Sequence, residues 1–416
     1  MPVVGASRSR PVRRLGPERV APDFLALFCE NRRSATVCRG PWRTRGRAEL
    51  YGRPRVNWDF LTTVRSACIT LIVCLSLALA GLRAQNQAAA GIIPFESYLE
   101  ALRVQASIPG MSAALVQDGQ VVWERGLGFQ NQESRIRATP DTPYAIADLS
   151  QTFAAVLLLQ CAEQRRLEIN APLRRYGAAV ADTDATVRQI LSHTSASNGE
   201  TFHYDPERYA QLTQVVEGCI PQPYRKSVAV SLFERLAMKD SVPGRDLTDP
   251  TILPEKIFSN DVLDRYRRVL ERIAIPYKVD KRGKLTRTDL QLEGVTAASG
   301  LVSTVRDLAR FDAALDDDVL LLEETRNAAW TPGINSQSQP LPTGLGWFVQ
   351  TYRNDRVVWH FGLVANAYSS LIIKLPARRL TLILLANSDG LSAPFQLDGG
   401  DVTKSLFATL FLRLYT

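Results

Sequence analysis

The chain has 416 residues, 45% of them hydrophobic, which is enough apolar surface for one or two folded domains and excludes a mainly disordered chain. Its net charge of +8 comes from the first 84 residues, which hold 15 Arg and five acidic residues, whereas residues 85–416 hold 35 basic and 37 acidic residues. Because the globular part carries no basic run, a nucleic-acid partner is not predicted.

A leader precedes the globular part. Residues 66–81 form an unbroken weakly polar to apolar stretch that follows Arg65, and Ala78-Leu79-Ala80 or Ala84 offers a small-residue cleavage site. The stretch is shorter than the roughly 20 residues that a membrane-spanning helix needs. We therefore predict a signal peptide at residues 64–84 and an exported, periplasmic or extracellular protein. An uncleaved membrane anchor through the same stretch is the alternative.

Residues 1–63 are rich in Arg and Pro and show no hydrophobic periodicity. We interpret them as an unstructured extension or as sequence upstream of the true start at Val64, so that residues 85–416 form the folded domain. Of six cysteines, only Cys161 and Cys219 belong to that domain. Both lie in apolar, helix-like stretches, which favours buried free thiols, and the sequence leaves open whether they pair.

The first elements are predicted from periodicity. The apolar spacing from about Ile93 to Val104 predicts a helix, which Pro109-Gly110 separates from a strand. Asp118-Gly119 is a turn between two apolar runs, so residues 111–129 are predicted as a β-hairpin. Residues 149–167 contain neither Gly nor Pro and are largely apolar, which predicts a long buried helix.

The middle and the end of the chain differ in pattern. Residues 170–290 alternate helix-like segments with Pro-containing loops. The predicted C-terminal elements are the strands Trp347–Thr351, Val357–Phe361, Ser369–Lys374 and Leu380–Leu385 and the helix Val402–Tyr415. Strands at both ends of the chain predict an α+β fold, in which an antiparallel sheet of N- and C-terminal strands carries a helical subdomain at about residues 150–300.

Six short segments support a family resemblance: Ile108–Met111, Val116–Gly119, Thr139–Thr142, Val187–Ser195, Gly300–Thr304 and Leu384–Ser388. Through them the sequence, over nearly all of residues 90–416, resembles the β-lactamase-related serine hydrolases, which include class C β-lactamases, D-alanyl-D-alanine carboxypeptidases, penicillin-binding proteins and related esterases. The resemblance implies a β-lactamase/transpeptidase-like fold and a small-molecule or peptide ligand, peptidoglycan-like or ester. Neither metal-ligand spacing nor a phosphate loop occurs, so we predict no metal and no cofactor.

The family places a serine nucleophile, and three residues later a lysine, at the start of a buried helix. Residues three apart share a helix face, and the helix N-terminus favours the negative charge that develops there. Alignment on Thr152-Phe153 puts Asp148 at the serine position and Gln151 at the lysine position. Making Ser150 the nucleophile breaks this match, and Ser150 lies about 200° around the helix from Asp148, so it is only a fallback.

Asp148 has a second interpretation, because an acidic residue in the first turn of a helix can cap it. The same helix N-terminus is expected to lower the pKa of this carboxyl. No residue near Gln151 in sequence supplies the missing cation. Lys374, on a predicted strand, is the distant lysine considered in its place.

Two further family elements match in part. A loop tyrosine in a Tyr-x-Asn pattern relays protons in the family; Tyr204 matches it, whereas Pro206 replaces the asparagine and lacks its amide. A Lys-Thr-Gly or His-x-Gly triad on a strand borders the family's pocket, and His360-Phe361-Gly362 matches it. There a cationic His360 would attract a substrate carboxylate, and Gly362 would let substrate backbone pair with the strand edge.

These substitutions lead to three hypotheses, in order of preference. The first is a binder of acyl-peptide or peptidoglycan-like ligands with little or no hydrolysis, a pseudoenzyme. The second is an active hydrolase of β-lactamase, D,D-peptidase or esterase type, in which Asp148 acts as a general base. The third is a scaffold for protein interaction, which a cleft closed by Phe361 or by leader residues would favour. His193 and His203 are interpreted as structural.

Overall fold

A computed structural model describes residues 93–177, 184–249, 257–290 and 294–416. The predicted signal peptide, the extension before it and the alternative anchor all lie outside these residues. Among the described helices, none is both long enough and apolar enough to span a bilayer.

The strands occupy both ends of the domain and the helices occupy its middle. The strands are β1 Gly110–Gln117, β2 Gln120–Asn131, β3 Ile136–Arg137, β4 Tyr144–Ala145, β5 Tyr277–Val279, β6 Leu285–Arg287, β7 Val302–Ser303, β8 Phe348–Tyr352, β9 Asp355–Val364, β10 Tyr368–Leu375 and β11 Leu380–Ala386. The helices are α1 at residues 93–105, α2 Ser150–Glu163, α3 Val187–Leu191, α4 Pro206–Ala210, α5 Leu212–Cys219, α6 Tyr224–Val228, α7 Asn260–Leu270, α8 Val305–Asp316, α9 Glu323–Ala329 and α10 Leu406–Tyr415.

Seven strands form an antiparallel sheet in the order β3-β2-β1-β11-β10-β9-β8. The N-terminal strand β1 and the C-terminal strand β11 are neighbours at its centre, with Met111 opposite Ala386. The β1–β2 hairpin turns at Asp118 and Gly119, whose φ angles of 52° and 74° are the left-handed pair that a tight hairpin needs. The predicted α+β architecture with pairing of the terminal strands is therefore confirmed.

Each face of the sheet has its own apolar core, because successive strand residues point to opposite sides. On one face, α1 and α10 contribute Phe95 and Phe411 to a core with Trp359. On the other face, α2 and α8 pack through Phe153 and Phe311, whose rings stack 4.0 Å apart. Residues 150–159 of α2 are buried on all sides, as the continuous apolar sequence predicts, and only the last turn of the helix is partly exposed.

The prediction of free thiols is wrong, because Cys161 and Cys219 form a disulfide. Cys161 lies near the end of α2 and Cys219 ends α5, and the two helices pack side by side with these Cα atoms 6.4 Å apart. Helical periodicity indicated that each cysteine lies on the buried face of a helix, but it did not show that these two faces meet. The bond fixes the helical middle to the helix that carries the candidate site.

Candidate active site

Asp148 lies in a tight turn that feeds into α2. The turn is one 3₁₀ segment, Ala147–Leu149, and Ala147 adopts a φ of 53°, which is unusual for a residue other than glycine. Ile146 holds the turn in place, since its N–H donates to the Leu301 carbonyl and its carbonyl accepts from the Leu149 N–H. Non-glycine residues in this conformation cluster at functional sites.

The side chain of Asp148 crosses to the sheet instead of capping a helix. Its Oδ2 accepts a hydrogen bond from the Leu363 N–H of β9 at 3.1 Å, and neither the 3₁₀ turn nor α2 has a side-chain cap. Burial raises the pKa of Asp148 to about 7, although the backbone N–H bonds oppose the shift. The capping interpretation and the expected lowering of this pKa are therefore both wrong, because desolvation outweighs the helix terminus.

Gln151 joins a chain of neutral hydrogen bonds. Its Nε2 donates to the Tyr204 hydroxyl at 3.2 Å, and its Oε1 lies 2.9 Å from Nε2 of His193. Because the Asp205 N–H donates to Nδ1 of His193, the proton of this imidazole is on Nε2 and is donated to Gln151. Burial lowers the pKa of His193 to about 3, so the ring is uncharged at neutral pH.

The position of the family's lysine is thus filled by an amide in an uncharged network. The structural interpretation of His193 missed this link to Gln151. The left-handed φ of 54° at His193 sets its orientation, and a sequence pattern does not show it.

Tyr204 is brought close to Gln151, as the alignment implies, but it is packed among aromatic rings. Its ring centroid lies 4.6 Å from that of His193 and 5.2 Å from that of Phe361. Burial, and next the negative charge of Asp148, raise the pKa of Tyr204 well above its usual value. The hydroxyl is therefore protonated at neutral pH and is not a ready proton acceptor.

His360 is not the cation that the triad predicts. Its side chain is buried against Phe348, with Nδ1 2.7 Å from the Phe361 carbonyl oxygen. Burial lowers the pKa of His360 to about 4, so the imidazole is neutral at pH 7. The expected attraction of a substrate carboxylate to this residue is thereby overturned.

The other triad positions have packing roles. Phe361 is 2% exposed and covers the ring of Tyr204. A Cβ on Gly362 would lie 2.2 Å from the Ile146 carbonyl oxygen, so glycine allows β9 to pass against the turn that holds Asp148. Close backbone packing accounts for this glycine, and its pairing with substrate backbone stays a prediction.

Ser150, the fallback nucleophile, faces away from Asp148. It is fully buried, and its hydroxyl oxygen accepts a hydrogen bond from the Leu301 N–H at 3.3 Å. Lys374 is also excluded from the site, because its buried ammonium pairs with Asp312 and, at 3.0 Å, with Asp316 of α8.

A cavity of about 250 Å³ opens beside Asp148 and Leu363. Its walls include Arg245, Leu290 and Gly300, whereas Tyr204 and His360 are not among the residues that line it. Sequence reasoning missed Arg245, the first residue of the 3₁₀ turn Arg245–Thr248, which belongs to no recognised motif. Across the described ranges, no three His, Cys, Asp or Glu residues are grouped as a metal site would require.

Asp148 lies in the turn before α2, its carboxyl is bonded to the end of β9, and a cavity opens beside it. This arrangement, on a sheet of terminal strands with a helical middle, defines a protein built like the penicillin-recognising serine hydrolases. The β-lactamase family model matches residues 95–407, so the chain belongs to the β-lactamase family.

Known relatives are similar at low identity. Protein flp of Staphylococcus aureus (strain MW2) is 22% identical over 307 residues, covering 67% of this chain and 60% of that protein. Penicillin-binding protein 4* of Bacillus subtilis (strain 168) is 21% identical over 311 residues, covering 66% and 67%. The match thus spans about 60% of the length of the flp proteins.

Solved structures share the fold. An octameric penicillin-binding protein homologue from Pyrococcus abyssi has a TM-score of 0.62 at 20% identity, covering 77% of each chain. D-alanine carboxypeptidase AmpC from Burkholderia cenocepacia has a TM-score of 0.59 at 17% identity, covering 77% of this chain and 99% of that one.

Proposed function

We propose that this protein is a ligand-binding member of the β-lactamase family with little or no hydrolytic activity. The observation that carries the proposal is the bond between the Asp148 carboxyl and the Leu363 N–H, at the start of the buried helix. A carboxyl group there replaces the hydroxyl that would attack a carbonyl carbon.

The chemistry for acyl transfer is also missing next to it. Gln151 has no charge and is held by His193 and Tyr204, so it neither accepts a proton nor stabilises a nucleophile. Loss of a serine nucleophile typically lowers turnover on the order of a millionfold. A cleft with these substitutions retains binding and loses catalysis.

The Leu363 N–H supports the same conclusion. A backbone N–H that faces the nucleophile position is the donor that would stabilise an oxyanion during acyl transfer. Here this donor is already bonded to Asp148. A ligand carbonyl at this place would have to displace the carboxyl before it could be polarised.

The proposed ligands are acyl-peptides or peptidoglycan-like fragments. The names of the relatives, a penicillin-binding protein and a D-alanine carboxypeptidase, support this class. The cavity beside Asp148 favours a ligand-binding role over the role of a protein-interaction scaffold. Phe361 closes the cleft only on the side where it packs against the Tyr204 ring.

We also propose that the protein is exported. The apolar stretch at residues 66–81 supports this, and so does the disulfide between Cys161 and Cys219, since such bonds persist mainly in oxidising compartments. N-terminal sequencing of the native protein from cell fractions tests the export and the cleavage site together.

Covalent labelling tests the loss of the nucleophile. The purified wild type and an Asp148→Ser, Gln151→Lys variant are incubated with a fluorescent penicillin and a fluorophosphonate. We expect the double variant to be labelled and the wild type to stay unlabelled. A third chain that adds Ser150→Ala to the double variant is the matched control, and it should label equally because Ser150 faces away. Labelling of the wild type would contradict the proposal.

One observation favours a second candidate, a hydrolase in which Asp148 is the general base. A pKa of about 7 suits a base near neutral pH. It ranks second because the lysine position holds Gln151, an uncharged amide bonded to Tyr204 and His193. Hydrolysis of a p-nitrophenyl ester between pH 5 and 9 decides: a rate that rises through pH 7 and disappears in Asp148→Asn supports this candidate.

A further inference from the structure

One oxygen of the Asp148 carboxyl is left free toward the cavity beside it. Oδ2 accepts the Leu363 N–H at 3.1 Å, whereas Oδ1 accepts no hydrogen bond from another residue in the described part of the chain. Oδ1 is not sealed from solvent, since Asp148 is 8% exposed and lines the cavity. A carboxyl that is nine-tenths buried, with one oxygen unpaired and accessible, is an acceptor for a donor group of a ligand.

The wall around this oxygen is small and largely aliphatic. Besides Asp148 and Arg245, the described residues that line the cavity are Ala145, Ala147, Leu290, Ser299, Gly300, Leu363, Val364 and Ala365. The volume of about 250 Å³ lies below the roughly 300–1,000 Å³ that enclose a whole drug-sized ligand. The cavity therefore suits one flexible side chain of a ligand, with an aliphatic part against the wall and a polar end at Oδ1.

Arg245, the other charged residue in this wall, is already engaged. Its Nη2 donates to the Leu290 carbonyl at 3.4 Å, and the side chain has further interactions within the protein. The pKa of Asp148 is set by burial and by backbone hydrogen bonds, without a contribution from the Arg245 charge. The Asp148 carboxylate thus lacks a cationic partner among the described residues, and a positive group of a ligand would supply one.

We propose that the cavity beside Asp148 binds the aliphatic ammonium group of a ligand, with the ammonium at Asp148 Oδ1 and the methylene chain against Leu363 and Val364. The inference rests on the proposed binding function and narrows its ligand class to acyl-peptides with a lysine-like side chain. An ammonium is a compact cation with three donors, and its hydrogen bonds to a carboxylate are charge-assisted. The chemistry has two sources, such a peptide or a free alkylamine.

A cation bound at Asp148 makes the affinity depend on pH. Because burial raises the pKa of Asp148 to about 7, the carboxyl is mostly protonated below that pH and must release its proton to pair with an ammonium. An alkylammonium itself stays charged up to about pH 10. The affinity should therefore rise about tenfold per pH unit from pH 5 to 7 and level off above pH 7.

The groups near Asp148 do not titrate in this range. Tyr204 stays protonated, because burial and next the charge of Asp148 raise its pKa well above the usual value. His193 and His360 stay neutral, since burial lowers their pKa values to about 3 and about 4. Arg245 keeps the permanent charge of a guanidinium. A change of affinity through pH 7 therefore reports the ionisation of Asp148.

Titration calorimetry of the full chain from pH 5 to 8 tests this with four probes. They are Nα-acetyl-lysine methylamide, n-butylamine, Nα-acetyl-norleucine methylamide, which lacks the ammonium, and butyrate. We expect both amines to bind with the pH dependence given above. The norleucine amide should bind at least tenfold more weakly than the lysine amide at pH 8, with no pH dependence.

The two amines distinguish the two sources. Tighter binding of the lysine amide than of butylamine identifies a peptide ligand, and the reverse order or equal affinities identify a free amine. Butyrate binding that strengthens as the pH falls, with neither amine bound, overturns the proposal. Amine affinities that do not change between pH 5 and 7 overturn it as well.

Two variants locate the ammonium. Asp148→Asn should weaken binding of the lysine amide at pH 8 at least tenfold and leave the affinity for the norleucine amide unchanged. Ala365→Leu, at an exposed position of the wall, keeps Asp148 and should weaken both amides by filling the cavity, which guards against misfolding of the first variant. The matched control is Asp264→Asn, which removes an exposed carboxylate paired with Arg267. Equal affinities of Asp148→Asn and Asp264→Asn for the lysine amide overturn the site.

These outcomes are separate from those of the proposed function. Covalent labelling of the wild type with unchanged ammonium binding contradicts the loss of hydrolysis alone. Absence of binding by every probe, with the wild type still unlabelled, overturns the ligand assignment alone.

Discussion

Asp148 and Leu363 are 215 positions apart in sequence, yet the Asp148 Oδ2 accepts the Leu363 N–H at 3.1 Å. The bond joins the turn before α2 to the end of β9 and leaves the carboxyl buried. Because burial raises the pKa of Asp148 to about 7, ionisation of this group opposes folding.

Replacing Asp148 by Asn should change how stability depends on pH. The folded pKa of about 7 exceeds the unfolded value of 3.8, so the folded state holds the proton more tightly. Below pH 3.8 Asp148 is protonated in both states and does not lower the free energy of unfolding. Between pH 4 and 7 this group lowers the free energy of unfolding by up to about 4 kcal/mol, and above pH 7 the loss is constant. Asp148→Asn keeps the acceptor for Leu363 and should remove this fall, as urea unfolding from pH 4 to 8 would measure.

The control for this series is Asp264→Asn, which removes an exposed carboxylate paired with Arg267. The free energy of unfolding of this variant, plotted against pH, should run parallel to that of the wild type. If the Asp148→Asn curve is also parallel, the raised pKa of Asp148 is wrong.

Regular elements followed from the sequence because their signals are local. The hairpin at Asp118-Gly119 needs only two residues that tolerate positive φ, and the helix after Asp148 needs only an uninterrupted apolar run. The family landmarks then placed Asp148, Gln151 and Tyr204 in one region, and the Gln151–Tyr204 contact agrees with that placement.

What could not be predicted depends on contacts between distant segments. The disulfide required α2 and α5 to lie side by side, and the pKa of Asp148 required its degree of burial. The neutral state of His360 has the same origin, since its aromatic neighbours come from β8 and β9. A sequence motif shows which residue types occur and in what order, but it does not show how far each side chain is buried from solvent.

The amide of Gln151 should be necessary for stability. Gln151→Leu leaves the His193 Nε2–H and the Tyr204 hydroxyl without this partner in a buried site, which should cost about 2–4 kcal/mol. The matched control in the same helix is Gln160→Leu, which loses one bond to the Leu320 carbonyl and should cost about 1 kcal/mol. Urea unfolding compares the two, and equal losses would refute the importance of the network.

The disulfide should contribute measurably to stability. It closes a loop with a sequence separation of 58, for which a stabilisation of about 2–4 kcal/mol is typical. Reduction should therefore lower the Tm of the wild type. The double variant Cys161→Ala, Cys219→Ala should have the lower Tm from the start and show no further response to reductant. A wild-type Tm that reductant leaves unchanged would show that the bond contributes nothing.

Lys374 should be essential for folding stability but should take no part in covalent labelling at the candidate active site. Its side chain is 1% exposed, and its ammonium is paired with Asp312 and Asp316, so Lys374→Met leaves two buried carboxylates without their cation. We expect a loss of about 3–5 kcal/mol at pH 7. The loss should shrink toward pH 4, because burial raises the pKa of Asp312, which then takes up a proton.

A compensated variant separates the two roles. Lys374→Met combined with Asp312→Asn and Asp316→Asn should recover part of the stability at pH 7, since no unpaired charge remains. Arg378→Gln, which breaks the exposed pair with Asp355, should cost less than about 1 kcal/mol and is the control. When added to Asp148→Ser, Gln151→Lys, the compensated set should leave penicillin labelling intact. Loss of labelling in a folded chain would show instead that Lys374 takes part in the chemistry, because its structural role would already have been replaced.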